Sequence, residues 1–224
     1  KGLEHLRLRE ALAQSVNIVA VRVLKEVGPA SVVDYARSLG IRSKMEPNLS
    51  LALGSYEVTP LELAGVYATF AAGGMYAEPK LIRKIEGANG FSMEFAPNIP
   101  EHRVLEENEA YLMTDMLTTV VQRGTAMRAR ELARPIAGKT GTSNAAKDTW
   151  FAGYSPEIAT VMWVGFDDAK PLGPQESGAQ TVLPGWIQYM KVALKQRAPV
   201  DFPRPQGFIT QSISKLDGLL ARED

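Results

Sequence analysis

Ala137-Gly138-Lys139-Thr140-Gly141-Thr142-Ser143-Asn144 is the stretch on which the fold turns. Residues 134–137 read as a strand entering it. Beyond it, Asp148-Thr149-Trp150-Phe151-Ala152-Gly153-Tyr154 reads as the next strand, rich in aromatic and β-branched residues and bounded by Gly and Pro. A Lys-Thr-Gly at the end of a strand has a physical use. Lys139 presents a positive charge to an anionic substrate end. Gly141 has no side chain, so a substrate backbone can lie against the strand edge. Thr140 and Thr142 offer hydroxyl donors to a carboxylate, and the backbone N–H that follows can aim at a developing oxyanion. A bare Lys-Thr-Gly occurs in many loops, so its meaning depends on partners elsewhere in the chain.

Downstream, residues 158–166 form a further strand. It is joined to the 148–154 strand by Ser155-Pro156-Glu157 and expected antiparallel to it. Residues 167–179 are a polar loop, and Leu183-Pro184-Gly185-Trp186 opens a helix running to about Lys195. A proline-rich departure covers residues 199–205, and residues 209–220 read as a weak strand or hairpin. Upstream, residues 106–122 are the clearest helix, with Tyr111, Leu112, Met116, Leu117, Val120 and Val121 on one side and acidic residues at its start, where the helix dipole favours them. Residues 80–86 and 91–95 read as a peripheral hairpin around Gly87-Ala88-Asn89-Gly90; residues 97–102 read as loop. Thr59-Pro60-Leu61-Glu62 is a capping box with proline at the first helical position, and Gly73-Gly74 stops the helix it opens. Ser31 is placed to cap a helix over residues 32–39, closed by Gly40.

Near the start, Leu8-Arg9-Glu10-Ala11-Leu12-Ala13 suggests a helix, Gln14-Ser15-Val16-Asn17 interrupts it, and residues 18–27 resume an apolar pattern. The plain alternative for Ser15 and Asn17 is a helix cap, since both residue types are favoured there. Helices first, then antiparallel strands, then a helix give an α+β plan: an antiparallel sheet covered by helices on both faces. No repeat or low-complexity tract interrupts it.

Composition narrows the chemistry. The chain has 224 residues, 45% hydrophobic and 22% charged, an ordinary globular balance. Lys and Arg number 25 against 25 Asp and Glu, so no net charge draws it to nucleic acid, and none is expected as a partner. Arg123, Arg128, Arg130 and Arg134 cluster, and read as a solvated basic helix end rather than an anion site. There is no cysteine, which excludes disulfides and thiolate chemistry, and the two histidines, His5 and His102, form no metal-binding frame. No metal or other cofactor is expected. No apolar run reaches membrane-spanning length and no signal peptide opens the chain. Lys1-Gly2-Leu3-Glu4 does not read as a natural start, which suggests that the chain begins in mid-protein.

Ser15-Val16-Asn17 and Lys139-Thr140-Gly141-Thr142 stand in that order, 124 positions apart. They are two members of a three-part signature: Ser-x-x-Lys, Ser-x-Asn and Lys-Thr-Gly of penicillin-binding proteins and serine β-lactamases. The chain resembles the transpeptidase domain of a penicillin-binding protein, of the class A (bifunctional) type. Further segments carry the likeness: residues 54–64, Tyr67-Ala68-Thr69-Phe70-Ala71-Ala72-Gly73-Gly74, Arg123-Gly124-Thr125-Ala126, and residues 138–154 around the Lys-Thr-Gly. It runs from about Leu6 to Leu194. Residues 1–198 are then expected to be the C-terminal part of such a domain, and residues 199–224 an extension or edge strand of it. The resemblance implies the serine DD-peptidase fold shared with β-lactamases.

The first motif is missing. Among serious candidates only Ser212 has a lysine three residues on, Lys215, and it lies in a polar tail after the Lys-Thr-Gly. The nucleophile is therefore expected on a separate or missing N-terminal segment, either cut away or part of a partly disordered whole. A pseudoenzyme has no reason to keep Ser15, Asn17 and Lys139. The implied reaction is peptidoglycan cross-linking through a serine ester, with stem peptides ending in D-Ala-D-Ala as donors, a stem amine as acceptor, and β-lactams as mimics of the donor. Ser15, Asn17 and Lys139 are the implied catalytic residues; Thr140, Gly141, Thr142 and Ser143 are the implied substrate-binding ones. The resemblance implies the extracytoplasmic face of the bacterial inner membrane, with the anchor outside this chain. Trp150, Phe151 and Tyr154 could make a sugar platform, but read more simply as alternating residues of a sheet strand. Met113, Met116 and Met127 read as core filler. Rival readings are a serine β-lactamase or D,D-carboxypeptidase on the same fold, and a penicillin-recognising scaffold that lacks the nucleophile by design.

Overall fold

The computed structural model describes residues 6–95, 101–214 and 218–220. Three strands form the central sheet: β5 (Ala137–Thr142), β6 (Asp148–Tyr154) and β7 (Ala159–Gly165), in the order β5-β6-β7, antiparallel throughout. The Lys-Thr-Gly therefore lies inside a strand rather than after one, and that strand is an edge of the sheet. The reading that strand entry occupies residues 134–137 is corrected by a few positions: the chain turns through a short 3₁₀ segment (Met127–Leu132) and a left-handed Ala133 before β5 begins.

Helices cover both faces. Tyr154 and Phe151, three apart on β6, point to opposite sides. Tyr154 meets the ring of Tyr67 on α4 (Pro60–Ala71) and hydrogen-bonds at 2.8 Å to Thr114 on α5 (Glu107–Arg123). Phe151 stacks edge-on against Trp186 of α6 (Leu183–Ala193), their centroids 4.7 Å apart. Phe151, Tyr154 and Trp186 are fully buried, so two of the three candidate platform aromatics are core. Trp150 pairs with Trp163 across the register of β6 and β7. Trp186 also donates its indole N–H to the Thr160 carbonyl, satisfying the polar atom its burial would otherwise strand.

Local signals explain most boundaries. The Thr59–Glu62 capping box forms in both directions, with Pro60 at the first turn. Glu62 does more than cap: its carboxylate also accepts from the backbone N–H of Arg42 and from the N–H and hydroxyl of Ser43, tying the preceding loop to α4. Helix α5 starts after Glu106, whose side chain and Glu109 form a reciprocal cap. Its buried face differs from the one expected. Thr114 and Thr119 are buried while Leu112 is exposed, because the face is set by the sheet and by the first helix rather than by hydrophobicity alone. Among the methionines expected to fill the core, Met113 packs against it but Met127 is exposed.

Two further differences concern caps and strands. Helix α3 (Pro29–Ser38) begins at Pro29 after Gly28, so Ser31 lies within it and is not its cap. A short strand β4 (His102–Arg103) pairs with β1 (Met75–Tyr76), where loop was expected; the intervening residues 97–100 lie outside the described residues. The peripheral hairpin is present as β2 (Lys84–Glu86) and β3 (Ser92–Glu94), wholly exposed. The proline-rich departure returns to the body: Phe202 meets Tyr154 and Phe208 meets Tyr111. Ile213 and Leu220 form an isolated antiparallel bridge.

Candidate active site

The first two helices, α1 (Leu8–Ala13) and α2 (Asn17–Val27), meet at a sharp elbow. Ser15 sits at its corner with φ of 56°, a left-handed conformation that glycine adopts freely and serine does not. The hydrogen bonds around it close the end of α1: Ser15 N–H donates to Leu12 O and Val16 N–H to Ala11 O. This is the Schellman pattern, with serine at the position usually held by glycine. Neither Ser15 nor Asn17 caps a helix. Val16 precedes α2 and no side chain caps it, so the plain reading of the Ser-x-Asn set does not hold.

The elbow is held from outside. The chain leaving α5 passes under it, and Thr125 N–H donates to Ala13 O at 3.0 Å. Gly124 makes that approach possible: a Cβ there would stand 2.3 Å from the Ala13 carbonyl oxygen. Helix α1 is also pinned to α5 by ion pairs of Arg9 with Asp115 and of Arg123 with Glu10. Arg9 further donates to the Thr119 hydroxyl. Of the basic cluster, Arg123 and Arg128 are thus spent on ion pairs, Arg128 with Glu131, and Arg134 donates to the Arg197 carbonyl.

Docked in this way, α1 brings Ser15 against the sheet edge. Lys139 Nζ donates to Ser15 Oγ at 2.8 Å and to Thr140 O at 3.0 Å. Burial of the ammonium lowers the Lys139 pKa to about 8. Because Lys139 donates, the Ser15 hydroxyl keeps its own hydrogen for another acceptor. Asn17 is exposed two residues further on, at the first turn of α2.

The remaining predicted site residues divide. Thr140 is half-buried, its hydroxyl 2.7 Å from that of Thr125. Thr142 is exposed at the end of β5 and accepts the Gly178 N–H at 3.1 Å. Gly178 opens a π-helical turn (Gly178–Val182) packed so tightly on the sheet that a Cβ would lie 2.4 Å from Trp150 O and 2.7 Å from Gly141 O. Gly141 lies between the two threonines on the open edge. Ser143 is turned inward: its hydroxyl pairs with Asp148 Oδ2 and accepts the Asp148 N–H, closing the connection to β6. Thr125 and Gly178 were not singled out as site residues from the sequence. The only signal was Thr125's place in Arg123-Gly124-Thr125-Ala126. Among the described residues no group of three or more His, Asp or Glu side chains is placed to hold a metal ion.

Known proteins resemble this chain over most of its length. The model of the penicillin binding protein transpeptidase domain matches residues 1–181. Penicillin-binding protein 1A of Aquifex aeolicus is 43% identical over 224 residues, all of this chain and 30% of that protein. The protein of the same name from Pseudomonas aeruginosa is 35% identical over 94% of the chain and 32% of its own length. The chain thus spans about a third of the relatives it matches. Among solved structures, penicillin-binding protein 1A from Haemophilus influenzae superimposes with a TM-score of 0.89 at 32% identity, covering 97% of this chain and 38% of that one. PonA1 from Mycobacterium tuberculosis in complex with penicillin V superimposes with a TM-score of 0.79 at 26% identity, over 98% of this chain and 62% of that one. By its family match, its relatives and its fold, the chain belongs to the penicillin-binding protein transpeptidase family, in the class A branch.

Proposed function

We propose that this chain is part of a peptidoglycan D,D-transpeptidase, in which it supplies the Ser-x-Asn and Lys-Thr-Gly sides of the active site. The observation that carries the reading is the 2.8 Å contact between Lys139 Nζ and Ser15 Oγ on an open sheet edge. The attacking serine belongs to a Ser-x-x-Lys segment of the same protein outside residues 1–224. Its hydroxyl oxygen adds to the penultimate D-Ala carbonyl of a donor stem. The bond to the terminal D-Ala breaks, and a stem amine then takes the acyl group from the ester.

Roles follow from the chemistry. The attacking serine's proton goes to the lysine of its own segment; Ser15 passes its free hydrogen to the departing amine and takes one from Lys139 in its place. Asn17 holds a substrate amide and steadies the lysine of the absent motif. The Thr140 and Thr142 hydroxyls receive the donor's terminal carboxylate, and the Thr142 N–H faces the oxyanion. Gly141 leaves the strand edge clear for the donor backbone. Ser143 supports this set through its bonds to Asp148. β-Lactams enter the same groove and remain as a stalled ester; that the similar PonA1 protein was solved in complex with penicillin V supports the reading.

Residues 199–224 are read as an extension of the same domain, supported by the contacts of Phe202 and Phe208 with the body. The site of action is the extracytoplasmic face of the inner membrane. No helix of the described residues is long and apolar enough to cross a membrane. The test uses the complete polypeptide. Lys139→Ala should reduce labelling by a fluorescent penicillin by roughly a hundredfold or more, the usual scale for losing a transition-state donor. Intact-mass analysis should place the adduct on the Ser-x-x-Lys segment and none on residues 1–224. Normal labelling of Lys139→Ala, or an adduct on residues 1–224, would reject the assignment.

A further inference from the structure

The hydroxyls of Thr140 and Thr142 each sit beside a fixed protein group. For Thr142 the group is the Gly178 N–H, which can only donate, so the threonine oxygen accepts and its hydrogen is left over. For Thr140 the neighbour is the Thr125 hydroxyl at 2.7 Å, where either oxygen can be the donor. Thr125 is half-buried and anchored through its own backbone to α1, and Thr140 Oγ1 is the partner of its hydroxyl among the described residues.

We infer that Thr125 is a positioning residue that sets specificity for a carboxylate-bearing donor, by directing its hydrogen onto Thr140 Oγ1 so that the Thr140 hydrogen points outward. The inference rests on the acyl-transfer reading above. With Thr125 donating, both threonines of the strand present one hydrogen each toward the groove, with one of their two lone pairs already taken. Two outward hydrogens side by side favour an anionic acceptor group over a ligand end that offers only donors. A hydroxyl that already accepts one hydrogen bond is also a stronger donor, and bonds to a charged acceptor gain most from that. The Thr125 N–H bond to Ala13 O links the same residue to the Ser15 elbow, so one threonine holds the two motifs in register. That link is backbone-borne and survives replacement of the side chain.

The experiment compares acylation of the complete polypeptide by benzylpenicillin and by its methyl ester, which lacks the negative charge. In Thr125→Val, of the same shape without the hydroxyl, the ratio of the acid rate to the ester rate should fall roughly tenfold, the scale of one hydrogen bond to a charged group. Thr125→Ser should restore the ratio. If Thr125→Val lowers both rates together, or leaves both unchanged, or if Thr125→Ser fails to restore the ratio, the inference is overturned. Absence of acylation in the unsubstituted protein would instead overturn the acyl-transfer reading itself, and this inference with it.

Discussion

Ser15 carries two demands that pull in different directions. Its backbone holds φ at 56°, where any side chain beyond hydrogen is strained by an amount on the order of 1 kcal/mol, yet its hydroxyl is the acceptor for Lys139. Glycine would suit the turn and abolish the hydroxyl. Two variants separate these demands, since Ser15→Ala and Ser15→Gly both remove the oxygen and only the second relieves the backbone. Ser15→Gly should be about 1 kcal/mol more stable to urea than Ser15→Ala, while both lose penicillin acylation to a similar degree. Equal stability of the two would show that the elbow is not strained. The elbow is thus a place where stability and function conflict. The Ser-x-Asn spelling was visible in the chain, but its conformation was not. Serine is a common cap residue, and only the Schellman closure of α1 forces it left-handed.

At the scale of elements, Glu62 shows how one side chain sets the entry of a helix. Burial by itself raises its pKa. The bonds from Thr59 N–H, the Ser43 hydroxyl and the N–H groups of Arg42 and Ser43 outweigh that and lower it to about 2, against an ordinary 4.5. The folded state therefore keeps this carboxylate ionised while the unfolded chain takes up a proton. The stabilisation is complete above pH 4.5 and is lost as pH falls toward about 2. Glu62→Gln should cost on the order of 1 kcal/mol at neutral pH, typical for a cap, and the gap to the unsubstituted protein should close across that acidic window. A gap independent of pH would show that geometry and not charge matters. The capping box itself was legible because it lies within four consecutive residues. Its extension to Arg42 and Ser43, about twenty positions away, was not.

At the scale of the whole molecule, the described residues centre on a three-stranded sheet between α4 and α5 on one face and α6 on the other, and Phe151 and Trp186 meet in its core. Trp186 is fully buried and its indole N–H is satisfied, so Trp186→Ala should destabilise the protein by about 3–5 kcal/mol in a denaturant titration. Phe91→Ser on the exposed hairpin should stay within about 0.5 kcal/mol. A Trp186→Ala cost no larger than that of Phe91→Ser would mean that α6 is not part of the cooperative core. The sheet also explains the fate of the predicted site residues. Alternation along β5, and the tight turn into β6, decide which hydroxyls face the open edge and which are taken inward. Ser143 is drawn to Asp148 for that reason.

Read alone, the sequence determined the α+β plan, the pairing of the 148–154 and 158–166 segments, the capping box and the two motifs. Each of these is encoded in residues a few positions apart, where period, propensity and turn chemistry act directly. Only the tertiary structure decided that Ser15 and Lys139 touch, that Thr125 stands against Thr140, and that the Gly178 N–H donates to the Thr142 hydroxyl. Those contacts join parts of the chain from 15 to 124 residues apart. They exist because α1 is clamped to α5 by Arg9, Glu10 and the bare backbone of Gly124, an outcome of packing that no local pattern records.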